Sequence, residues 1–267
     1  MYASTFLAAL LGASAVTAAP AWPQIKWDVS DAMGGNAVSE YFNLLADAVQ
    51  YSRTTPAPVC NLANAIIPTL TQSPLPLPAA GLVLKHVAVG RGTQNYTCDL
   101  SNSTAVPAAA GAVAALFNAS CVASTYPDLL HSVPKLSLQF DLPASELVNA
   151  TADALNNILG NVRLGPTNLQ VSGKHYFTDL TTPFFDLDTQ HQRVGKAPCS
   201  KANATAAPAD APKGRAGEAA VPWLRLTAHA DATGGIKEVF RVKTAGGSAP
   251  AKCQGQPASF QVQYAAE

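Results

Sequence analysis

Charge is scarce in this chain: 17 basic and 17 acidic residues among 267 give a formal net charge of zero, and only 13% of positions are charged. With no basic excess there is no electrostatic footprint for nucleic acid, and no such partner is expected. Long apolar runs are also missing. None reaches the roughly 20 residues a membrane-spanning helix needs, so no membrane span is expected. There is no Cys-x-x-Cys and no Cys/His cluster with zinc spacing, so no metal site is predicted. The G-x-S-x-G elbow of a serine hydrolase is absent, and no Ser is marked as activated.

A glycine is lacking where it would matter most. "KHVAVGRGTQNYTC" runs an apolar strand into Gly90-Arg91-Gly92, as a dinucleotide-binding loop begins, but Asn95 stands where the third glycine of G-x-G-x-x-G belongs. The residues Gln94 to Cys98 suit a strand better than the start of a phosphate-facing helix. Gly90-Arg91-Gly92 therefore reads as the turn of a β-turn-β element whose glycines serve backbone conformation, and no cofactor is expected.

What is present points outside the cell. Phe6 to Val16 is an apolar core of signal-peptide length, and Val16-Thr17-Ala18 supplies a small-x-small cleavage pattern, although the stretch before it has no Lys or Arg. Residues 1–19 are assigned as a signal peptide, and the mature chain is expected to be secreted, extracellular or in the cell wall. Asn95, Asn102, Asn118, Asn149 and Asn203 each begin a glycosylation acceptor triplet. Five cysteines, Cys60, Cys98, Cys121, Cys199 and Cys253, suggest two disulfides and one thiol left over in an oxidising compartment. Cys98 with Cys121, flanking a short excursion, and Cys253 with Cys60 or Cys199 are the expected pairs; spacing alone does not fix them.

The predicted fold class is mainly β: a single antiparallel β-sandwich or barrel with a few peripheral helices and long loops. Val38, Tyr41, Phe42, Leu45 and Val49 share one stripe of an amphipathic helix over 36–52. Six prolines between Thr54 and Ala80 predict an irregular connector, so 20–80 reads as an N-terminal helix plus connector and 81–267 as the β-rich domain. Strands are predicted at Leu82–Gly90, Asn168–Ser172, Lys174–Phe177, Pro222–Ala228, Ile236–Lys243 and Ser259–Tyr264. Clearest of all is "PKLSLQFDL", where Leu136, Leu138, Phe140 and Leu142 alternate with polar residues. Ala108 to Phe117 has the propensity of a short helix, and Leu147 to Leu159 the spacing of a second. The Ala- and Pro-rich stretch 197–221 reads as a long mobile loop.

Titratable and aromatic side chains concentrate in "GKHYFTDLTTPFFDLDTQHQR". His175, Asp179, Asp186, Asp188 and His191 are the weak candidates for catalysis, since imidazoles and carboxylates can act as acid and base. The structural alternative is that the aromatics fill a core and the aspartates cap turns. His131, in "PDLLHS", is expected near a short helix end. Trp223 and Tyr264 could stack on sugar rings, but in strands such residues more often lie in the core. Nothing in the sequence sets the oligomeric state.

"GRGTQNYTC", "HYFTDLTTPFFDL", "VPWLRL" and "VFRVKTAGG", in this order, resemble a family of small secreted proteins of unknown function found in filamentous fungi and bacteria. The resemblance runs from about Leu82 onward. Members of that family often carry the label malate dehydrogenase, which no nucleotide-binding motif here supports. The resemblance brings no catalytic residues with it. Related chains tend to continue past "VQYAAE", so Glu267 is expected to mark an early stop or an incomplete gene. Two functions are left: a non-catalytic extracellular or cell-surface binding protein, with cell-wall or host carbohydrate as the ligand considered, or an extracellular enzyme using the His175–His191 segment.

Overall fold

Alternation governs the chain from Ala88 onward. In a computed structural model, which describes residues 35–54, 60–140, 164, 167, 169–189 and 192–267, nine strands carry it. They are β1 (Ala88–Thr97), β2 (Ala108–Asn118), β3 (Val171–Phe177), β4 (Pro183–Asp188), β5 (Arg193–Thr205), β6 (Trp223–Ala228), β7 (Glu238–Arg241), β8 (Ala245–Gly246) and β9 (Ser259–Ala266). All described residues belong to one compact unit, Met33–Glu267. The expected signal segment, the expected helix from Leu147 to Leu159, Asn149 and His191 lie outside them.

Every strand pairing is antiparallel, and the order is β7-β6-β5-β4-β3-β2-β1-β9-β8. The fold is thus mainly β, a curled sheet of barrel-like form, as the sequence predicts. Its two outermost strands are neighbours in sequence, which brings its ends together. Arg241 pairs with Leu224 of β6, while the next residue, Val242, exchanges backbone hydrogen bonds of 2.8 and 2.9 Å with Glu267, just past β9. Adjacent Cα atoms are about 3.8 Å apart, so the sheet closes at the Arg241–Val242 peptide. Lys243 takes a positive φ of 47° there and turns the strand from one partner to the other.

Helices cover the outer face. These are α1 (Gly35–Thr54), α2 (Ser120–Thr125) and α3 (Pro127–Ser137). Pro127 sits at the start of α3, Asp128 in its first turn and Lys135 in its last, the arrangement a helix dipole favours. Leu130, Val133 and Leu136 of α3 pack with Val89, Ala115 and Phe117 of the sheet, and with Tyr41 and Leu45 from the predicted stripe of α1. Phe42 and Val49 of that stripe stay largely exposed.

Five expectations are corrected. "PKLSLQFDL" is not a strand: its first residues finish α3, because Leu129, Leu130, Val133 and Leu136 form a helical stripe that outweighs the short alternation. Consequently His131 lies within α3 rather than at the end of a short helix. Ala108–Phe117 is strand β2, since pairing on both sides overrides alanine's helix propensity. Residues 197–205 belong to β5, and the loop begins only at Ala206. Gly90-Arg91-Gly92 is no turn, for all three residues pair with β2 and β9 inside β1.

The cysteine pairing is also corrected. The disulfides are Cys60–Cys121 and Cys98–Cys253, with Cys199 free and buried. Cys98 follows the C-terminal end of β1 and Cys121 follows the opposite end of its antiparallel partner β2. A strand of ten residues separates those ends by about 30 Å, far beyond disulfide reach.

Between Cys60 and β1 the chain forms a strap with one 3₁₀ turn (Leu62–Asn64) and otherwise no regular structure from Ala65 to Val87. The prolines predict this as far as Ala80, but the strand expected over Leu82–Gly90 is corrected, since β1 begins only at Ala88. Ile67, Pro68, Leu70, Leu75 and Leu77 lie against Trp223, Phe240 and Val242. Thr205 Oγ1 donates to Ser73 O at 2.7 Å, Ala79 N to Glu238 Oε1 at 3.4 Å, and Lys85 Nζ to Gly234 O.

Candidate functional site

The hairpin of β3 and β4 scatters the candidate cluster. His175 and Asp186 occupy opposite faces, because Lys174 pairs with Asp186 and His175 with Phe185. Asp186 faces Lys174 Nζ at 3.9 Å and Lys196 Nζ at 3.4 Å. Asp188 accepts from Gly195 N at 2.9 Å and faces Arg193 at 3.8 Å. Asp179 caps the hairpin turn, accepting from Thr181 N, Thr181 Oγ1 and Thr182 N at 2.7 to 2.9 Å, and these bonds hold its carboxyl down to about 2. Thus the described aspartates do not converge with His175. Among the described residues no group of three His, Cys, Asp or Glu could hold a metal ion.

The glycan acceptors divide by exposure. Asn102 is exposed in a turn, its Oδ1 taking the Thr104 amide at 3.1 Å. Asn95 is half-buried within β1, Asn118 accepts from Ser120 N at 3.0 Å, and Asn203 faces Arg225 at 3.5 Å.

Inside the curl the register builds one row across six strands: Tyr264, Gly92, Ala114, His175, Phe185 and Ala197. Alternate residues of a strand share a face, so Gly90, Gln94, Tyr96, Leu116, Phe177 and Leu226 point the same way. Small barrels are usually filled by side chains; here Ala112 and Ala114 pack against Tyr264, Ala266 and Val221, while Gly90 borders open space. The open space amounts to about 1530 Å³ and is not confined to the curl, since it runs past the strap residues Gly81–Val87 to Pro127, Leu130 and His131 of α3. Its walls are mostly apolar: Leu116, Phe177, Phe185, Leu187, Leu224, Leu226 and Val239.

Gly92 shows what this closeness demands. A Cβ there would stand 1.9 Å from Val113 O and 2.6 Å from Ala114 Cα, so glycine is required by the approach of β2 and not by an unusual φ. Between the glycines, Arg91 points outward and is 1% exposed. Its Nε and Nη2 donate to Ser137 O and Phe140 O at the end of α3, at 3.2 and 3.3 Å, and Nη2 also reaches Gln263. It therefore joins helix to sheet.

Gln94, Tyr96, His175, Arg241 and Tyr264 stand on the lining among the apolar residues, and the charged Lys85, Lys201, Lys237, Glu238 and Glu267 lie at other points of it. His175 Nδ1 donates to Phe184 O at 3.0 Å, which places the free lone pair on Nε2. Its ring stacks on Phe185 with centroids 4.4 Å apart. Burial, and secondarily the charge of Arg241, push the imidazole down to about 4, so it is neutral at ordinary pH. Burial lowers the Arg241 pKa as well, with Tyr264 and Tyr96 acting against that. Both phenols are pushed up by burial. Arg241 is of intermediate exposure, and its guanidinium donates Nε and Nη2 to Pro222 O at 3.3 and 2.9 Å. Tyr96 donates to Gly247 O at 2.8 Å. Gln94 lies beside the Tyr264 hydroxyl, yet its buried Nε2 makes no hydrogen bond of acceptable geometry, and the two are neighbours rather than a bonded pair.

Of these residues only His175 stands out in the sequence as a site candidate. Gln94 and Arg241 are missed because each is a single polar residue in a strand, recognisable only once alternation places it on an otherwise apolar face. Trp223, considered for sugar stacking, is 3% exposed, and Tyr264 is also 3% exposed and borders the cavity. No curated protein and no solved structure matches the chain. Residues 78–267, the whole of the nine-stranded sheet, match a family described as "Protein of unknown function (DUF3455)", and to that family this chain belongs.

Proposed function

We propose that this is a secreted, glycosylated, non-catalytic binding protein that holds a small molecule inside its curled sheet. The observation that carries this reading is the cavity of about 1530 Å³ with apolar walls and a few convergent polar groups, the usual make-up of a ligand site. Export is supported by the segment 1–19, the acceptor asparagines and the two disulfides. Binding is favoured over the alternative, an extracellular enzyme built on His175–His191. A general base works best with a pKa near the operating pH, whereas His175 lies near 4 and has no carboxylate partner among the described residues. Carbohydrate is the less favoured ligand for this cavity, because its walls are aliphatic and phenyl rather than hydroxyl-rich.

An uncharged solvatochromic dye titrated into protein purified from culture medium tests the reading. Wild-type protein is expected to bind it saturably. Val239→Trp, which fills the cavity from β7, is expected to lose binding while keeping its melting temperature. Equal binding by both proteins, or by neither, would defeat the proposal.

A further inference from the structure

The cavity is rich in donors and poor in acceptors. Arg241 has no carboxylate within ion-pair distance among the described residues, although it is enclosed by protein and loses hydration there. Buried cations are ordinarily paired, because removing one from water without a counter-charge is costly. Among the described residues its hydrogen-bond acceptor is the carbonyl of Pro222, which takes two of its five N–H groups. Gln94 Nε2 is a second buried donor without an acceptor. The two carboxylates on the lining are engaged elsewhere, Glu238 by Arg225 and Glu267 by His131 at 2.9 Å. The Arg241 guanidinium and an unsatisfied amide thus face the apolar space, whose lining also includes Lys85, Lys201 and Lys237.

We infer that the ligand is an amphiphile with one carboxylate, whose head sits on Arg241 and Gln94 and whose hydrocarbon body lies along Phe177, Phe185, Leu224 and Leu226. A guanidinium fork matches a planar carboxylate in two parallel bonds, which the lysine ammonium groups of the lining cannot offer. This inference rests on the cavity being a binding site, and the probes separate the two claims. Decanoic acid, decanol and methyl decanoate share an apolar body and differ at the head.

Calorimetric titration at neutral pH is expected to show decanoate binding at least tenfold more tightly than decanol or the ester. Arg241→Gln is expected to erase that preference, bringing decanoate and decanol to equal affinity. Arg241→Lys, keeping charge without the fork, is expected to retain part of it. Because the acid–alcohol comparison is made on wild-type protein, it decides the matter even where a variant fails to fold. Equal affinity for acid and alcohol would overturn the carboxylate inference and leave the cavity reading standing. Absence of binding by all three would overturn both.

Discussion

Gly92 and His175 lie in the same interior row, and each constrains the protein differently. A side chain at 92 would collide with the backbone of β2, not with a movable rotamer, so Gly92→Ala and Gly92→Val are expected to reduce secreted yield and melting temperature, with Val worse. Normal yield of Gly92→Val would contradict this packing. For His175, the buried ring holds fewer protons than the unfolded chain between its depressed pKa, about 4, and the ordinary 6.5. Stability from this residue is therefore complete above pH 6.5 and falls as the solution is acidified toward 4. The full difference is about 3 kcal/mol, at 1.36 kcal/mol for each unit. Comparing urea midpoints of wild-type and His175→Phe protein at pH 7 and pH 4 checks it: the wild type is expected to lose more stability. Parallel losses would show that His175 does not titrate as described. Cys199 points inward too, and burial pushes its thiol up to about 12, so thiol reagents are expected to ignore it in the folded protein and label it after denaturation.

At the level of elements, legibility followed redundancy. Trp223–Ala228 and Ser259–Ala266 could be read because branched and aromatic residues alternate over their whole length. The helix Gly35–Thr54 could be read because five apolar residues repeat its period. Ala108–Asn118 could not, for alanine says helix locally, and only pairing with two neighbours makes it a strand. Its smallness is what the interior needs, a reason visible only in the folded sheet. "PKLSLQF" misled for the opposite reason: a true alternation of apolar residues coincides with the end of a helix whose stripe begins seven residues earlier, at Leu129. The disulfides connect elements that sequence spacing could not pair. Non-reducing peptide mapping is expected to recover Cys60–Cys121 and Cys98–Cys253. Replacing Cys98 by Ser is expected to cost about 2–5 kcal/mol of stability. A Cys98–Cys121 peptide would refute the antiparallel β1–β2 hairpin as drawn.

For the molecule as a whole, the site depends on closure, since Arg241 stands at the peptide where the two ends of the sheet meet. That junction was beyond sequence reasoning because it joins residues far apart in the chain through a strand that serves two partners. It also sets a schedule. Gly90, on β1, finds one of its two partners in Ala266, so β1 must wait half-paired while every other strand is synthesised. Pairings so distant in sequence form slowly. On the proposed export route the chain therefore travels with β1 open on one side. Glycans and the Cys98–Cys253 bond would act during that interval as much as afterwards, the sugars by keeping the waiting edge soluble and the bond by delivering β9 to the place reserved for it.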